Sequence, residues 1–500
     1  MTTDDNNIVR QQLRERGICV IIPTYNNDGT IEHVVRKSLE LCADVIVVND
    51  GSTDATSSLL HRIDGITMIE NDRNRGKGYA LKRGFQRAME MGFAYAITLD
   101  GDGQHSAEDI PRFLQANREH PGALIVGRRQ LDGVQRSRGS RFANQFSNFW
   151  FAVETGRYLP DTQTGYRLYP LRKLRWLSLL TSRYEAELEL LVVAAWHGVE
   201  LCSILIGVYY PPMEQRISHF RPATDFGRIS LTNCILCLLA GVYGWPFTVL
   251  RWLLHLGRTL YALLFFLLAT LLVTPGVWLY TGIGRMTDKK LMGLHRLIQR
   301  MARFVMQTHG VPGTTFTCHM ADGTDFSRPH VIVCNHQSHL DLMCQLQLAP
   351  NMVFLTNSWV WHSPFFGLLV RKAGFCLVTD GIDTLLPRLR ELADKGYNIA
   401  VYPEGTRSAD CRIGRFHQGA FHIAQQLDLD VLPMYLYGTG RVLSKKARML
   451  RPGPIHLEVG KPLTRAELNL MGTPLQQARN MRRMYVEKYE QLCNKIEQYV

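Results

Sequence analysis

The chain has 500 residues, 46% of them hydrophobic and 20% charged, and a formal net charge of +13. This composition excludes a disordered chain, and the length exceeds what one hydrophobic core serves, so we expect two or three folding units. Most of the basic excess lies in residues 259–500, without zinc-finger spacing or an aromatic-interleaved basic stripe. We therefore expect a membrane surface or phosphate groups as partners, and no nucleic acid.

The cysteines and the amino terminus indicate the compartment. Eleven cysteines without regular spacing argue against a disulfide framework and fit a reducing environment. The first residues, MTTDDNNIVRQQLRERG, lack the basic-then-apolar order of a signal peptide. We therefore expect the first domain to lie in the cytoplasm.

Residues 17–130 alternate short apolar runs, rich in β-branched side chains, with amphipathic runs. The pattern predicts an α/β domain with a buried parallel sheet. Ligands of such sheets bind beyond the carboxyl ends of the strands, where Asp50, Asp100 and Asp102 fall. The spacing of Asp100 and Asp102 places two carboxylates within reach of one divalent cation that also binds diphosphate oxygens; a solvated turn is the alternative.

Six blocks in order resemble the family 2 glycosyltransferases of GT-A fold: VIIPTYNN, VVNDGSTD, NRGKGYALKRGF, LDGDGQH, DTQTGYRLYP and RISHFRPATDF. The resemblance implies a glycosyltransferase domain over residues 1–228 that uses a nucleotide sugar. It is closest to the polyprenyl-phosphate sugar synthases, which suggests a lipid-borne acceptor. The donor-binding residues it implies are Pro23, Tyr25, Asp50, Lys77, Asp100 and Asp102, with Arg75 beside Lys77. It also implies Mg²⁺ or Mn²⁺ on Asp102 and Asp100.

The need for a catalytic base depends on the acceptor, because a phosphate oxygen is already anionic near pH 7 whereas a hydroxyl must lose a proton. Asp161 is the candidate base for a hydroxyl acceptor, and a cap of the TQTG turn is the alternative. Glu185 and Glu187 either take part or are exposed helix residues. Three basic residues are expected to hold anions rather than transfer protons: Arg167, His219 and Arg221.

Two uncharged stretches, 229–250 and 259–284, each reach the roughly 20 residues that a bilayer span needs. We predict central membrane segments over residues 229–284, with a buried core helix as the alternative for each stretch. Because Arg251 and Arg258 resist translocation, insertion into one leaflet is favoured over a full hairpin. The next apolar stripe, interrupted by arginines up to residue 310, is expected to lie on the membrane surface.

A second α/β pattern fills the rest of the chain and contains NHQSHLD at 335–341 and PEGTR at 403–407. Asp341 can hold one ring nitrogen of His336 so that the other deprotonates a substrate hydroxyl; a packed, satisfied pair is the alternative. The glycine and Arg407 of the second motif, at a strand end, suit a phosphate or a developing oxyanion.

These two motifs resemble those of the glycerolphosphate acyltransferase superfamily, the PlsC-like lipid acyltransferases. The resemblance implies an acyltransferase domain over residues 285–500, with acyl-CoA or acyl-carrier protein as donor and His336 and Asp341 as catalytic residues. The acyl-acceptor or oxyanion site that it implies consists of Asn335, Glu404, Gly405 and Arg407. Asp380 stands near the position where glycerolipid members have an arginine for the acceptor phosphate, which argues against an acceptor of the glycerol-3-phosphate type.

Together the two resemblances predict a bifunctional enzyme of the inner (cytoplasmic) membrane, with both catalytic domains facing the cytoplasm. One site would transfer a sugar to a lipid or polyprenyl-phosphate acceptor, and the other would acylate the same product or its precursor. The alternative is a polyprenyl-phosphate sugar synthase fused to an independent lysophospholipid acyltransferase. A membrane scaffold with inactive sites is the third hypothesis.

Overall fold

A computed structural model describes residues 3–130, 138–175, 180–209, 222–307, 310–363 and 367–497. The chain forms two compact units, Met1–Arg251 with Glu497–Val500, and Trp252–Ile496. Each unit contains a seven-stranded sheet with helices, so the predicted α/β class is confirmed. The boundary between the units falls inside a helix, and the three predicted domain ranges stay predictions.

The first unit is built on a mostly parallel sheet of order β3-β2-β1-β4-β6-β5-β7, in which β6 runs antiparallel to both neighbours. The five runs that the sequence indicates are β1 to β5, whereas β6 and β7 were not predicted. The strands are β1 Ile18–Thr24, β2 Val45–Asn49, β3 Ile66–Glu70, β4 Tyr95–Thr98, β5 Leu124–Arg129, β6 Arg167–Pro170 and β7 Leu201–Ile206.

Helices pack on this sheet through apolar stripes at a spacing of three and four residues. The helix Ile31–Leu41 buries its residues Ile31, Val34, Val35 and Leu41. Every residue of β1 is buried beneath the helices. Within the described residues, eight α-helices precede the apolar segment: α1 Thr3–Glu15, α2 Ile31–Leu41, α3 Thr56–Leu60, α4 Lys77–Glu90, α5 Ile110–Glu119, α6 Arg138–Thr155, α7 Leu171–Leu174 and α8 Glu185–Trp196.

The two uncharged stretches belong to one helical run, Thr224–Gly282, whose most apolar window is only 6% buried. It consists of α9 (Pro222–Leu239), a π-helical turn (Ala240–Gly244) and α10 (Trp245–Gly282). The π turn brings Gly244 against the Trp196 indole, where a Cβ would lie 2.4 Å from the ring. The link between the stretches is helical, which argues against the hairpin alternative; insertion into one leaflet stays a prediction. The alternative that these stretches form a buried core helix is wrong for the part of the run whose side chains are exposed.

The second unit has a sheet of order β11-β10-β12-β9-β13-β14-β8, with β13 and β14 antiparallel and the other pairs parallel. Five strands follow the predicted runs, and β8 and β14 were not predicted. The strands are β8 Thr314–Met320, β9 Val331–Cys334, β10 Met352–Thr356, β11 Cys376–Leu377, β12 Asn398–Val401, β13 Val431–Tyr437 and β14 Gly453–Val459.

The helix that the sequence places on a membrane surface, α11, turns its apolar stripe into the core of the second unit. Leu291, Leu294, Ile298 and Ala302 are all buried there. The outer face of α11 carries arginines together with the exposed Leu297 and Phe304, so its position on a membrane surface stays a prediction. The helices are α11 Asp288–Gln307, α12 Leu340–Leu346, α13 Ser358–Trp361, α14 Gly367–Lys372, α15 Ile382–Asp394, α16 Gly419–Leu427, α17 Thr439–Val442, α18 Arg465–Leu470 and α19 Pro474–Glu497.

Candidate active sites

A cavity of about 640 Å³ opens at the carboxyl ends of β1, β2 and β4 in the first unit. All six residues predicted for the nucleotide sugar line it: Pro23, Tyr25, Asp50, Lys77, Asp100 and Asp102. Sequence reasoning missed Arg183, Tyr184 and Asp225, which also line the cavity. Arg183 and Tyr184 directly precede α8, more than eighty residues after the DGD motif, and no local pattern marked them. Asp225 lies in the first turn of α9, within the RISHFRPATDF block, whose resemblance did not single it out.

Asp50 organises the loop between β3 and α4. Its carboxylate accepts hydrogen bonds from Asn71 Nδ2 at 2.6 Å and from the backbone N–H groups of Arg75 and Gly76 at 3.1 and 2.7 Å. Gly76 has a φ of +99°, a conformation that only glycine adopts without strain. The guanidinium of Arg75 lies over the ring of Tyr79, 5.0 Å from its centroid, and pairs with Asp72 of the same loop at 3.3 Å.

A buried cation stands between two carboxylates in the cavity wall. Lys77 Nζ lies 2.7 Å from Asp100 Oδ1 and 2.9 Å from Glu187 Oε2. Burial alone would lower the pKa of Lys77, but the two carboxylates raise it above its usual value, so the ammonium stays charged. Glu187 and Glu185 are both buried, and their interpretation as exposed helix residues is wrong.

Among the described residues, none forms an ion pair with Asp102. Burial and the charge of Asp100 raise the pKa of Asp102 to about 6. Nearby, burial lowers the pKa of His105 to about 4, and its Nδ1 has no partner among the described residues. Two carboxylates facing a polar cavity fit a hard divalent cation such as Mg²⁺ or Mn²⁺, which takes oxygen ligands and leaves room for water and substrate.

Asp161 lies in a different place, against a second cavity of about 300 Å³. Its carboxylate is fully buried and forms a bidentate pair with Arg129, at 2.7 Å to Nε and 2.9 Å to Nη2. It also accepts the N–H of Gln163 at 3.3 Å, as a turn cap does. This geometry favours the cap, and a base role for Asp161 stays a prediction.

Arg167 is fully buried and donates to the carbonyls of Thr162, Thr164 and Glu187 at 2.7 to 2.8 Å. It therefore holds the loop after α6 in place, and its donors face backbone oxygens rather than an anion. His219 and Arg221 lie outside the residues that the structure describes, as does the side chain of Asp380.

In the second unit the predicted histidine and aspartate meet at the end of β9. His336 Nδ1 lies 2.8 Å from Asp341 Oδ2, which also accepts the backbone N–H groups of Gln337 and Ser338 at 2.6 and 2.9 Å. Because this buried carboxylate only accepts, Nδ1 carries the proton and Nε2 is the basic atom. Sequence reasoning missed Tyr402, whose ring stacks on His336 with centroids 4.0 Å apart.

Glu404 and Asn335 hold the backbone around the histidine. Glu404 accepts the N–H of His336 at 2.9 Å and that of Gly414 at 2.8 Å, and burial raises its pKa. Asn335 exchanges two hydrogen bonds of 2.8 Å with the backbone of Leu436 in β13. Both side chains form hydrogen bonds with the protein backbone, so they fix the position of the histidine rather than contact a substrate.

Gly405 and Arg407 follow on the adjacent turn. The N–H of Gly405, which has a φ of +66°, already donates to the Tyr402 carbonyl at 3.0 Å. Arg407 makes no hydrogen bond or ion pair with the described residues, and the N–H of Ser408 bonds the His336 carbonyl at 2.8 Å. Arg407 is thus a cation next to the histidine that is available for an anionic group.

Two protein-family models match separate parts of the chain. Residues 19–172 match the model of Glycosyl transferase family 2, and residues 315–437 match that of Acyltransferase. The chain contains a family 2 glycosyltransferase domain and an acyltransferase domain. Most residues that line the 640 Å³ cavity lie within the first match, and the His336–Asp341 pair lies within the second.

Similar proteins divide between the two domains. A UDP-N-acetylglucosamine–dolichyl-phosphate N-acetylglucosaminyltransferase of Methanococcus voltae is 27% identical over 40% of this chain and 88% of its own length. The chloroplastic 1-acyl-sn-glycerol-3-phosphate acyltransferase BAT2 of Brassica napus is 32% identical to the acyltransferase part, over 29% of this chain, which spans 43% of that relative. The crystal structure of PlsC from Thermotoga maritima is 19% identical, covering 48% of this chain and 98% of its own, with a TM-score of 0.41.

Proposed function

We propose that the chain is a bifunctional membrane enzyme that glycosylates a lipid-type acceptor and acylates a hydroxyl of the same product or its precursor. The observation that carries the proposal is the position of Asp225. It lines the donor cavity and lies in the first turn of α9, which opens the apolar run to Gly282. A lipid acceptor held by the membrane can reach a cavity whose wall is the start of such a helix.

In the glycosyltransferase domain, an acceptor oxygen attacks the anomeric carbon of a nucleotide sugar and a nucleoside diphosphate leaves. Asp100 and Asp102 would hold Mg²⁺ or Mn²⁺, which, when bound, neutralises the charge of the diphosphate leaving group. Lys77 provides a second, fixed positive charge beside Asp100, and Asp50 fixes the loop that precedes Lys77. The dolichyl-phosphate acceptor in the name of the Methanococcus voltae relative supports a polyprenyl-phosphate or similar lipid.

In the acyltransferase domain, His336 Nε2 removes the proton of an acceptor hydroxyl while the oxygen attacks the carbonyl carbon of a thioester. Asp341 stabilises the imidazolium that forms, through the Nδ1 hydrogen bond. The tetrahedral intermediate collapses with loss of the thiolate, which takes the proton from Nε2. The donor is acyl-CoA or acyl-carrier protein, and Arg407 is placed to bind a phosphate of donor or acceptor.

We assign the chain to the inner (cytoplasmic) membrane with both domains on the cytoplasmic side, because nucleotide sugars and acyl thioesters are both cytoplasmic donors. The apolar run from Thr224 to Gly282 supports membrane attachment by its length and its exposed side chains. Its insertion in one leaflet keeps both domains on the same side of the bilayer.

Purified full-length chain in nanodiscs of bacterial lipid extract tests both activities in one tube. It is incubated with tritiated UDP- or GDP-sugars, Mn²⁺ and ¹⁴C-palmitoyl-CoA, and the lipids are extracted. We expect both labels in the lipid fraction; Asp102→Asn removes the tritium, and His336→Ala removes the ¹⁴C and leaves the tritium. No tritium above the Asp102→Asn background with any donor contradicts the glycosyl-transfer half.

A further inference from the structure

The outer face of α6 is apolar although it belongs to the first unit and lies outside the long apolar helix. Phe142 and Phe149 are 59% and 60% exposed, and Val153 is exposed beside them. Spacings of seven and four residues put these three on one side of the helix. Soluble monomers rarely expose a contiguous apolar patch of this kind unless it meets a partner or a membrane.

The patch is continuous with the start of the apolar run. The ring of Phe146, between the exposed positions of α6, lies 5.8 Å from that of Phe142 and 5.5 Å from that of Phe226 on α9. Phe226, on the side of α9 that meets α6, is itself 37% exposed. One surface, which we call the α6–α9 face, therefore joins two helices of the same unit.

Its chemistry is that of a surface in contact with lipid. From Phe142 to Thr155 the only charged residue is Glu154, whose side chain is buried. Charged and amphipathic side chains flank the face: Arg228 begins the uncharged stretch of α9, and Arg157 and Tyr158 follow α6. An apolar centre flanked by arginine and tyrosine is the pattern of an interfacial membrane surface.

We propose that the α6–α9 face lies against the lipid bilayer and delivers a membrane-borne acceptor to the glycosyltransferase cavity. Asp225 lines that cavity, and the next residue, Phe226, belongs to the face. A lipid acceptor can then move laterally in the bilayer and enter the site with its chains still solvated by lipid. The acceptor part of this inference rests on the proposed function, whereas the membrane contact does not.

A fluorescent amino acid at position 149 tests the contact without using activity. The full-length chain is reconstituted into phosphatidylethanolamine–phosphatidylglycerol vesicles, with or without brominated acyl chains. Position 8 is the control, since Ile8 is 54% exposed on α1 of the same unit. We expect brominated lipid to quench the probe at 149 by more than half and to leave the probe at 8 unchanged.

Two results overturn the membrane contact. In the first, no brominated lipid quenches the probe at position 149. In the second, the probe is shielded from water but is quenched only by a labelled second copy of the chain.

The function of the contact is tested with the double variant Phe142→Gln and Phe149→Gln, and Ile8→Gln is its control. The double variant should lower sugar transfer to lipid in vesicles roughly tenfold, the order expected for lost aromatic contacts with lipid. Nucleotide-sugar binding and acyl transfer should not change.

An unchanged rate of sugar transfer to lipid in the doubly substituted chain overturns the delivery role, even where the probe at 149 is quenched. If the native chain transfers no sugar at all, the proposed glycosyl transfer fails, and the quenching result still decides the membrane contact.

Discussion

His336 Nδ1 and Asp341 Oδ2 lie 2.8 Å apart, and the same aspartate oxygen accepts two backbone N–H groups of the turn between them. The aspartate thus fixes both the ring of the base and the loop that carries it. His336→Ala should lower acyl transfer by a factor on the order of 10² to 10⁴, the usual contribution of general-base catalysis. His339→Ala, on the exposed neighbouring histidine, is the matched control for the rate assay and should retain acyl transfer.

Chelation should separate the two activities within one sample. EDTA removes the cation that Asp100 and Asp102 are proposed to hold, whereas acyl transfer through His336 uses only side chains. In membranes that already contain the acyl acceptor, we expect sugar transfer to stop and acyl transfer to continue, with sugar transfer restored by excess Mn²⁺. Loss of both activities, or of neither, under conditions where the chain stays folded contradicts the assignment of the metal to the first unit.

Lys77 should be essential to the stability of the cavity as well as to its charge. Lys77→Met leaves the buried carboxylates of Asp100 and Glu187 without the cation between them, a change that costs about 3–5 kcal/mol in comparable buried pairs. Thermal unfolding should show the loss. Adding Glu187→Gln should recover part of it because one uncompensated charge is removed; a double variant no more stable than Lys77→Met would contradict this explanation.

The stability of the first unit should depend on pH through Glu154. Burial raises its pKa to about 8, whereas in the unfolded chain the carboxyl has an ordinary value near 4. Between these two values the folded state binds the additional proton, so the free energy of unfolding falls as pH rises through this window. Glu154→Gln should therefore raise the melting temperature at pH 8 and change it little at pH 4.5.

Glu189→Gln is the contrasting control, because Glu189 is buried but accepts three hydrogen bonds, from the N–H groups of Leu180 and Thr181 and from the Thr181 hydroxyl. It should destabilise the unit at both pH values. Equal effects of the two substitutions at pH 8 would mean that Glu154 is not protonated in the folded chain.

Local patterns were sufficient for the strands β1 to β5 and for the residues at their ends, because buried parallel strands and their polar tails are contiguous in sequence. Contacts between distant segments could not be predicted. Lys77 and Glu187 are more than a hundred residues apart, and nothing near Arg167 indicates that its donors meet backbone carbonyls. The presence of Tyr402 at the site could have been predicted from the sequence, because this residue directly precedes the PEGTR motif.

The apolar stripes show a second limit. The stripe of α11 packs into the core and that of α6 faces outward, yet both have helical spacing and both are interrupted by polar residues. A helix that buries its stripe in protein and one that buries it in lipid have the same hydrophobic period. The two helices are distinguished by the tertiary packing of α11, whose Leu294 and Ile298 lie in the core of the second unit.

Intact-mass analysis of lipids from cells tests most directly whether the two sites serve one product. Cells expressing the native chain are compared with cells expressing His336→Ala, and Asp102→Asn serves as the control for glycosylation. We expect cells with His336→Ala to accumulate a sugar-bearing lipid lighter than the native product by one acyl group. Unchanged sugar lipids, with a fall in phospholipid acylation alone, would contradict a shared product and favour two independent enzymes on one chain.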